Sequence, residues 1–272
     1  MVSGYMPTSL KEALDILSSQ NVIPYGGGTD LMLHSNENAV YLFLHRIEAL
    51  RRILVDADYV RIGGSCTFTE VLHSALVPAL MKEAAAQIAA PAIRNIGTMA
   101  GNIGNGSAKA DTVLIEFVAD AKLRLVSAHG ERIVPICDFY HGRKQLDLAQ
   151  DELITEILLP KTGLEDYYYE KVGARAALAI SRVSFAGIIQ WEDGCIRRIA
   201  AAFGAVADTV LRFPLLEQQL YGKTRAEAHA LKKGWLQSYE VAIQPTQGRV
   251  SAAYRKRVCL NLLSAFLDAK GI

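Results

Sequence analysis

The sequence has almost no surplus of either charge: 29 Lys and Arg stand against 28 Asp and Glu in 272 residues, so the formal net charge is +1. Proteins that bind nucleic acid or an anionic membrane usually present a strong basic field to their partner. We therefore expect no nucleic-acid partner and no membrane partner. Small or neutral ligands fit this composition better.

Cysteine is scarce as well. The sequence has four cysteines, with no C-x-x-C pair and no histidine at ligand spacing. Zinc and iron–sulfur sites need clusters of thiolates or imidazoles. We therefore expect no metal site, and we interpret the cysteines as reduced thiols that are mostly buried: Cys66, Cys137, Cys195 and Cys259.

Long apolar runs and common nucleotide fingerprints are also missing. No apolar stretch reaches the roughly 18 residues of a membrane-spanning helix. The first residues lack the basic region, apolar core and cleavage site of a signal peptide, so we expect a cytoplasmic protein. G-x-x-x-x-G-K-[ST] does not occur, and the first glycine run lacks the G-x-G-x-x-G spacing. The usual P-loop and Rossmann turns are therefore excluded.

What the sequence does contain is a mixed pattern of helices and strands. A cap at Thr8 or Ser9, with Glu12 as its capping-box partner, predicts a helix over the apolar stripe that follows. NVIPY and AVYLFLH are predicted strands, and PALMKEAAAQIA is a predicted helix that stops before Pro91. The Asp-Gly pair at 193–194 predicts a hairpin turn.

The pattern changes around residues 160–169, where LPKTGLEDYYYEK combines Pro160, Gly163 and acidic side chains. This composition is typical of a connection between domains. A hydrophobic content of 51% suffices for one large core or two medium ones. We therefore predict an α+β protein with a domain boundary near residue 165.

The stretch VIPYGGGTDLML has no side chains at Gly26, Gly27 and Gly28. Consecutive glycines allow positive φ and let a ligand reach main-chain N–H groups, which suits a phosphate. No Lys or Arg lies between residues 22 and 33, so amide dipoles would hold that phosphate. Asp30 should then point away and cap the LMLH segment, which leaves the Thr29 hydroxyl for the ligand. The alternative is a tight turn that binds nothing.

A second glycine cluster follows between residues 96 and 107. It alternates glycines with hydrogen-bonding side chains: Gly97, Thr98, Gly101, Asn102, Gly104, Asn105, Gly106 and Ser107. This alternation indicates a dinucleotide loop. We expect bare main-chain N–H groups of both loops to point at one diphosphate, with no cations nearby. Asp111 is placed either to accept from ribose or ribityl hydroxyls or to cap a helix over TVLIEF.

These motifs resemble those of the FAD-binding medium subunits of molybdenum hydroxylases, above all of bacterial xanthine dehydrogenases. PTSLKEAL resembles the family's opening, YGGGTDL and IRNIGTMAGNIGNGSAKAD its flavin loops, and FGAVADTVLRFPLLEQQLYG and SAAYRKRV its C-terminal domain. The resemblance covers essentially the whole chain. It implies a two-part FAD-binding domain of the vanillyl-alcohol-oxidase (PCMH) type over residues 1–165. A smaller α+β domain with a three-stranded sheet and helices would follow over residues 166–272.

The resemblance also implies which residues bind FAD. Those expected around the pyrophosphate and adenosine end are Ile23, Pro24, Tyr25, Gly26, Gly27, Gly28, Thr29, Asp30, Thr98, Met99, Ala100, Gly101 and Asn102. Asp111 would bind polyol hydroxyls, and Leu153 and Lys171 would lie near the flavin. For Lys171 the alternative is a solvated surface lysine. No side chain is expected to be a general acid or base.

Two positions depart from the family pattern. The second loop usually reads Gly-Gly-Asn, whereas this chain has Ala100 before Gly101 and Asn102. A methyl group at position 100 is tolerable where φ is negative and costly where φ is positive, so FAD affinity could be lower. Lys109 stands where proline is common and would add a positive charge near the phosphates.

By the same resemblance the chain is one subunit of a larger enzyme. Each [2Fe–2S] cluster of a molybdenum hydroxylase takes four cysteine thiolates, which these four scattered cysteines cannot supply for two clusters. The implied partners are a molybdopterin-binding catalytic subunit and a [2Fe–2S] subunit in a heterotrimer, with NAD as an electron acceptor. The alternatives are a free-standing flavin oxidoreductase and a flavin-less assembly or nucleotide-sensing module.

Overall fold

The structure is a computed structural model that describes residues 3–34, 36 and 38–272. The strands are β1 Ser3–Tyr5, β2 Ile23–Tyr25, β3 Val40–Phe43, β4 Ile53–Val55, β5 Tyr59–Gly63, β6 Lys122–Ser127, β7 Gly130–Pro135, β8 Tyr140–Gly142, β9 Gln145–Leu146, β10 Leu153–Pro160, β11 Tyr167–Val172, β12 Val183–Glu192, β13 Cys195–Gly204 and β14 Leu211–Arg212.

The helices are α1 Leu10–Ser19, α2 Phe68–His73, α3 Ala79–Ala86, α4 Pro91–Arg94, α5 Met99–Gly104, α6 Asp111–Ala119, α7 Ile136–Phe139, α8 Pro214–Glu217, α9 Arg225–Ala242 and α10 Ala252–Ala269. Short 3-10 segments cover Leu31–His34, Glu48–Arg51 and Gln218–Leu220. Within the described residues, no helix combines the length and the apolar character needed to cross a membrane.

The chain forms two compact units whose segments alternate along the sequence. Unit 1 comprises Met1–Val77, Ile88–Ser107 and Asp120–Lys161, and unit 2 comprises Pro78–Gln87, Ala108–Ala119 and Thr162–Ile272. The sequence pattern does not predict that residues 78–87 and 108–119 pack with the later part of the chain. The division into domains 1–165 and 166–272 stays a prediction.

Unit 1 contains a parallel sheet of strand order β1-β3-β2 and an antiparallel sheet of order β4-β5-β10-β6-β7. Helix α1 begins where the sequence predicts, because the Ser9 side chain accepts from Glu12 N at 3.2 Å. The Glu12 carboxylate in turn accepts from Thr8 N at 3.0 Å. One hydrophobic core cluster of unit 1 includes residues of α1, β3 and β10 and of the segments beside them: Ala13, Leu14, Leu17, Val22, Leu42, Leu44 and Leu153.

Two features of unit 1 position the candidate site. Strand β2 pairs in parallel with β3 and leads directly into the first glycine loop. Strand β10 lies between β5 and β6, with Leu153 at its first position, and helix α5 packs against it. The glycine loops therefore extend from elements that are fixed by sheet pairing and by a buried core.

Unit 2 is built on an antiparallel sheet of order β11-β12-β13-β14. Its three long strands match the predicted three-stranded sheet, and the two-residue strand β14 adds a short fourth. Strands β12 and β13 join at the predicted turn, where Asp193 and Gly194 take φ values of 51° and 77°. Helices α9 and α10 share a core with the sheet through Phe185, Phe203, Trp235, Tyr239, Cys259 and Phe266.

Candidate functional site

The first and second glycine loops lie against each other in unit 1. A Cβ atom on Gly27 would overlap the carbonyl oxygen of Ile96, and a Cβ atom on Gly26 would lie 2.5 Å from Thr98 Oγ1. Glycine is therefore required at both positions for the loops to approach this closely. The loops are about 70 residues apart in the sequence, and the fold brings them into contact.

Gly28 needs its lack of a side chain for another reason. Its φ is +68°, in the left-handed region that favours glycine, and a Cβ atom there would overlap the hydroxyl oxygen of Tyr25. Gly26 and Gly27 do not take positive φ. The predicted backbone freedom is therefore used at Gly28, whereas Gly26 and Gly27 serve close packing.

The main-chain amides of the first loop are free to bind a ligand. Within the described part of the chain, the N–H groups of Gly27, Gly28 and Thr29 have no hydrogen-bond acceptor. Asp30 is exposed and contacts the following 3-10 helix through its carbonyl oxygen, which accepts from Leu33 N at 3.1 Å. The first loop therefore has the free donors that an anion requires.

The amides of the second loop are already used, which corrects the expectation of two bare loops. Met99 N donates to the Cys66 carbonyl and Ala100 N to the Gly64 carbonyl, each at 2.9 Å. Gly101 N donates to Thr98 Oγ1 at 3.2 Å and Asn102 N to the Thr98 carbonyl at 3.0 Å. The reason is that this loop forms the first turn of α5, with Thr98 as its N-cap.

A cavity of about 470 Å³ opens where the loops meet. Its volume lies in the range of small-molecule and cofactor sites. The predicted FAD-binding residues that line it are Ile23, Pro24, Gly26, Gly27, Gly28, Thr29, Asp30, Thr98, Ala100, Gly101, Asn102 and Leu153. Further lining residues are Leu31, His34, Leu44, Gly64, Ser65, Phe68, Gly97, Gly104, Asn105, Lys144, Leu148, Glu152 and Ile154.

Tyr25 and Met99 are predicted site residues that do not line this cavity. The ring of Tyr25 packs against Phe43, with centroids 4.8 Å apart. Met99 is completely buried. Both residues are adjacent in sequence to lining residues, so they pack beneath the loops and do not face the cavity.

Ala100 lies in helix α5 and does not take positive φ. The methyl group of Ala100 therefore causes no backbone strain. This is the situation in which we expect from the sequence that the alanine is tolerated. Ala100 does line the cavity, so its methyl group occupies space next to the ligand. Its effect on FAD affinity stays a prediction.

Asp111 and Lys171 belong to unit 2, where they form a buried ion pair. Lys171 Nζ lies 2.7 Å from Asp111 Oδ2, and the side chains are 8% and 6% exposed. Ser181 Oγ donates to Asp111 Oδ1 at 2.7 Å, and Lys171 Nζ also donates to the Gln87 carbonyl at 2.8 Å. Burial raises the pKa of the Asp111 carboxyl, and the charge of Lys171 opposes that rise. The alternative of a solvated surface lysine is therefore wrong for Lys171.

Lys109 also belongs to unit 2, and it is not among the residues that line the cavity. Among the described residues, Lys144 is the lysine or arginine that lines it, in the turn between β8 and β9. Lys144 therefore brings a cation to the cavity lining, which the sequence expectation did not include. The position of a diphosphate in the cavity stays a prediction. No sequence signal marks this lysine, because the turn reaches the second loop only through tertiary packing.

The wall that precedes β10 is held by a half-buried carboxylate, that of Glu152. Glu152 lines the cavity, and its Oε2 accepts from Ala149 N at 2.8 Å. Arg132 holds both oxygens of this carboxylate and also reaches the Asp147 carboxylate at 2.6 Å. The Arg132 guanidinium lowers the pKa of Glu152, so this acidic side chain is charged and held by its partner.

The cysteines take no part in the cavity. The four cysteines in the described part of the chain are free thiols. Cys66 and Cys259 are buried, Cys195 is half-buried and Cys137 is exposed. Burial raises the pKa of the Cys66 and Cys259 thiols to about 12. Neither buried thiol is therefore a reactive thiolate at neutral pH.

The residues of the cavity fit the cofactor FAD. Free N–H groups at Gly27, Gly28 and Thr29 suit a diphosphate, and side chains cannot be added at the glycines without overlap. The apolar lining suits a flavin or adenine ring and includes Leu44, Phe68, Leu148, Leu153 and Ile154.

Comparison with known proteins agrees with this geometry. The model of the FAD binding domain in molybdopterin dehydrogenase matches residues 1–162, and that of the CO dehydrogenase flavoprotein C-terminal domain matches residues 167–269. The xanthine dehydrogenase FAD-binding subunit of Escherichia coli O157:H7 is 32% identical over 228 residues, covering 79% of this chain and 78% of that protein. The nicotinate dehydrogenase FAD-subunit of Eubacterium barkeri is 27% identical, covering 84% and 90%.

The fold is also that of a solved structure. A chain of carbon monoxide dehydrogenase from Hydrogenophaga pseudoflava superposes with a TM-score of 0.88 at 25% identity, covering 98% of this chain and 96% of that one. The predicted α+β fold with a smaller C-terminal domain is thereby confirmed, as is FAD as the cofactor. The chain belongs to the FAD-binding medium subunits of the molybdenum hydroxylase family and is an oxidoreductase subunit.

Proposed function

We propose that this chain is the electron-transfer subunit of a xanthine dehydrogenase-like molybdenum hydroxylase, taking electrons from a [2Fe–2S] subunit and passing them to NAD or another acceptor. The observation that carries the proposal is the cavity formed where the two glycine loops meet, in a chain that matches this family over both of its parts. The relative named a xanthine dehydrogenase FAD-binding subunit favours a purine as the substrate of the complex.

In this proposal the chain binds and orients the cofactor and supplies no acid or base. Bound FAD supplies an exchange between one-electron and two-electron transfer, which a side chain cannot provide. The free N–H groups of Gly27, Gly28 and Thr29 bind the diphosphate, with the Thr29 hydroxyl beside them. Leu153 forms part of the apolar wall against a ring system.

Asp111 and Lys171 are proposed to act at the flavin end. Following the family resemblance, Asp111 would bind the ribityl hydroxyls and Lys171 would lie near the flavin. Each neutralises the charge of the other in unit 2. A test is the reduction potential of bound FAD after Lys171→Met combined with Asp111→Asn. A potential equal to that of the natural chain would remove both residues from the site.

The proposed partners are a molybdopterin-binding catalytic subunit and a [2Fe–2S] subunit in a heterotrimer. The chain cannot carry two clusters itself, because it has four cysteines and two of them are buried far apart in sequence, at Cys66 and Cys259. The free thiols favour the reducing cytoplasm as its compartment.

The proposal is tested by purifying the full-length chain with its co-purifying partners. We expect a yellow protein with flavin absorbance, iron–sulfur and molybdopterin chains bound to it, and reduction of NAD when purines or nicotinate are supplied. An isolated chain that turns over alone would instead support a free-standing flavin oxidoreductase. A colourless chain that FAD cannot reconstitute would support a flavin-less assembly module.

A further inference from the structure

Lys144 occupies a defined position at the cavity. It lies in the two-residue turn between β8 and β9 and is one of the lining residues. Its N–H donates to the Gly106 carbonyl at 3.2 Å, and a Cβ atom on Gly106 would lie 2.8 Å from the Lys144 Cα. The turn therefore packs directly against the second glycine loop, and this contact fixes the position of the Lys144 backbone.

The backbone of Lys144 is unusual for its residue type. Its φ is +57°, in the left-handed region where glycine or asparagine is favoured. The following strand residue Gln145 and the preceding Gly142 belong to the β8–β9 hairpin, which needs this conformation for its turn. Lysine is disfavoured in this backbone conformation, so the turn alone does not account for a lysine at this position.

The charges around the cavity leave Lys144 available to an anion. The ionisable lining residues are Asp30, His34, Lys144 and Glu152. Glu152 is paired with Arg132 at 2.7 and 2.9 Å, and Arg132 also pairs with Asp147. Among the described residues, no carboxylate lies within ion-pair distance of the Lys144 ammonium group. An exposed ammonium group without a protein partner thus stands at a cavity lined by free N–H groups.

We propose that Lys144 binds the phosphate oxygens of the cofactor's diphosphate and makes the cavity selective for phosphorylated flavins. A hydrogen bond from an ammonium group to a phosphate is stronger than one from a neutral amide. Lys144 therefore adds charge to a site where the first loop supplies only dipoles. The inference rests on the proposed role of this cavity as the FAD site.

The test compares FAD, ADP and riboflavin, which separate the diphosphate from the ring system. Lys144→Gln in the full-length chain is expected to weaken FAD and ADP about tenfold in ~50 mM salt, and the difference should shrink as salt screens the charge. Riboflavin has no phosphate, so its affinity should not change. Binding is measured by quenching of flavin fluorescence and by calorimetry for ADP.

The adjacent Arg143 provides the matched control, since it is an exposed cation of the same turn that does not line the cavity. Arg143→Gln should leave all affinities unchanged. Lys144→Arg should restore FAD binding, whereas Lys144→Gly, which suits the left-handed backbone, should remain weak.

FAD affinity equal to that of the natural chain in Lys144→Gln and Lys144→Gly overturns this inference alone. Equal weakening of FAD and riboflavin also overturns it, because the lysine would then act on the shape of the site. A natural chain that binds no FAD overturns the proposed function as well. These outcomes distinguish a wrong role for Lys144 from a wrong role for the cavity.

Discussion

Arg132 holds Glu152 through paired hydrogen bonds, Nε to Oε1 at 2.7 Å and Nη2 to Oε2 at 2.9 Å. This geometry fixes the cavity wall just before Leu153, and lysine cannot reproduce it because its ammonium group is a single point charge. We predict that Arg132→Lys lowers FAD affinity roughly threefold and stability by about 1 kcal/mol. Titration with FAD and urea unfolding measure the effects.

The same pair predicts a pH dependence. Because Arg132 lowers the pKa of Glu152 in the native state, the pair stabilises the fold above the unfolded pKa of Glu. That stabilisation is lost as pH falls through the native pKa. Arg132→Met should therefore lose less stability than the natural chain between about pH 5 and pH 3. Parallel losses in the two proteins would contradict the assignment.

Gly27 is predicted to be the least replaceable glycine of the site. Alanine at this position would overlap the Ile96 carbonyl oxygen, so Gly27→Ala should lower the free energy of unfolding by about 2 kcal/mol and weaken FAD strongly. Gly104→Ala is the control in the same unit, because no atom lies within 4 Å of its Cβ position. Similar stability losses in both variants, measured by urea unfolding, would show that the loops do not pack as described.

Glu116 is predicted to make the protein less stable as pH rises. It is completely buried in α6, and neither carboxyl oxygen has a hydrogen-bond partner among the residues that the structure describes. Burial raises its pKa well above the ordinary value. The native state therefore keeps a proton on Glu116 that the unfolded state releases. The contribution of Glu116 to stability is fully present below the pKa that glutamate has in the unfolded state. Stability then falls by up to about 1.4 kcal/mol per pH unit until the native pKa is reached.

Urea unfolding between pH 5 and pH 8 measures this slope. Glu116→Gln should flatten it, because glutamine does not titrate. Glu170→Gln, at an exposed position of the same unit, should leave the slope unchanged. A slope that survives in Glu116→Gln would show that another group is responsible.

The Asp111–Lys171 pair is predicted to be strongly coupled. Lys171→Met alone leaves a buried carboxylate without its cation, which should cost roughly 3 kcal/mol of stability. Combining it with Asp111→Asn should recover much of that loss, since the uncompensated charge is removed. A double-mutant cycle by chemical unfolding checks this, and strictly additive losses would mean that the residues do not interact.

Local chemistry made several elements predictable from the sequence. The hydroxyl of Ser9 begins α1, and the Asp193-Gly194 pair turns the hairpin of unit 2, because each signal lies within a few residues of the structure that it specifies. The glycine loops were predictable for the same reason, and the resemblance to a known family indicated that they share one site.

Contacts between distant residues were not predictable in this way. The amides of Met99 and Ala100 are satisfied by carbonyls of Cys66 and Gly64, which only the folded chain brings near. Lys144 reaches the cavity because its turn packs on Gly106. Neither contact leaves a periodic pattern or a motif in the sequence, so an expected bare loop proved to be hydrogen-bonded and a cation was missed.

Hydrogen exchange with and without FAD tests the central claim most directly, because it reports on the amides that are said to bind the diphosphate. The account predicts that FAD slows exchange at Gly27, Gly28 and Thr29, which have no acceptor among the described residues. Residues 99–102 should change little, since their N–H groups are already hydrogen-bonded. FAD that binds without slowing exchange in residues 27–29 would contradict the account.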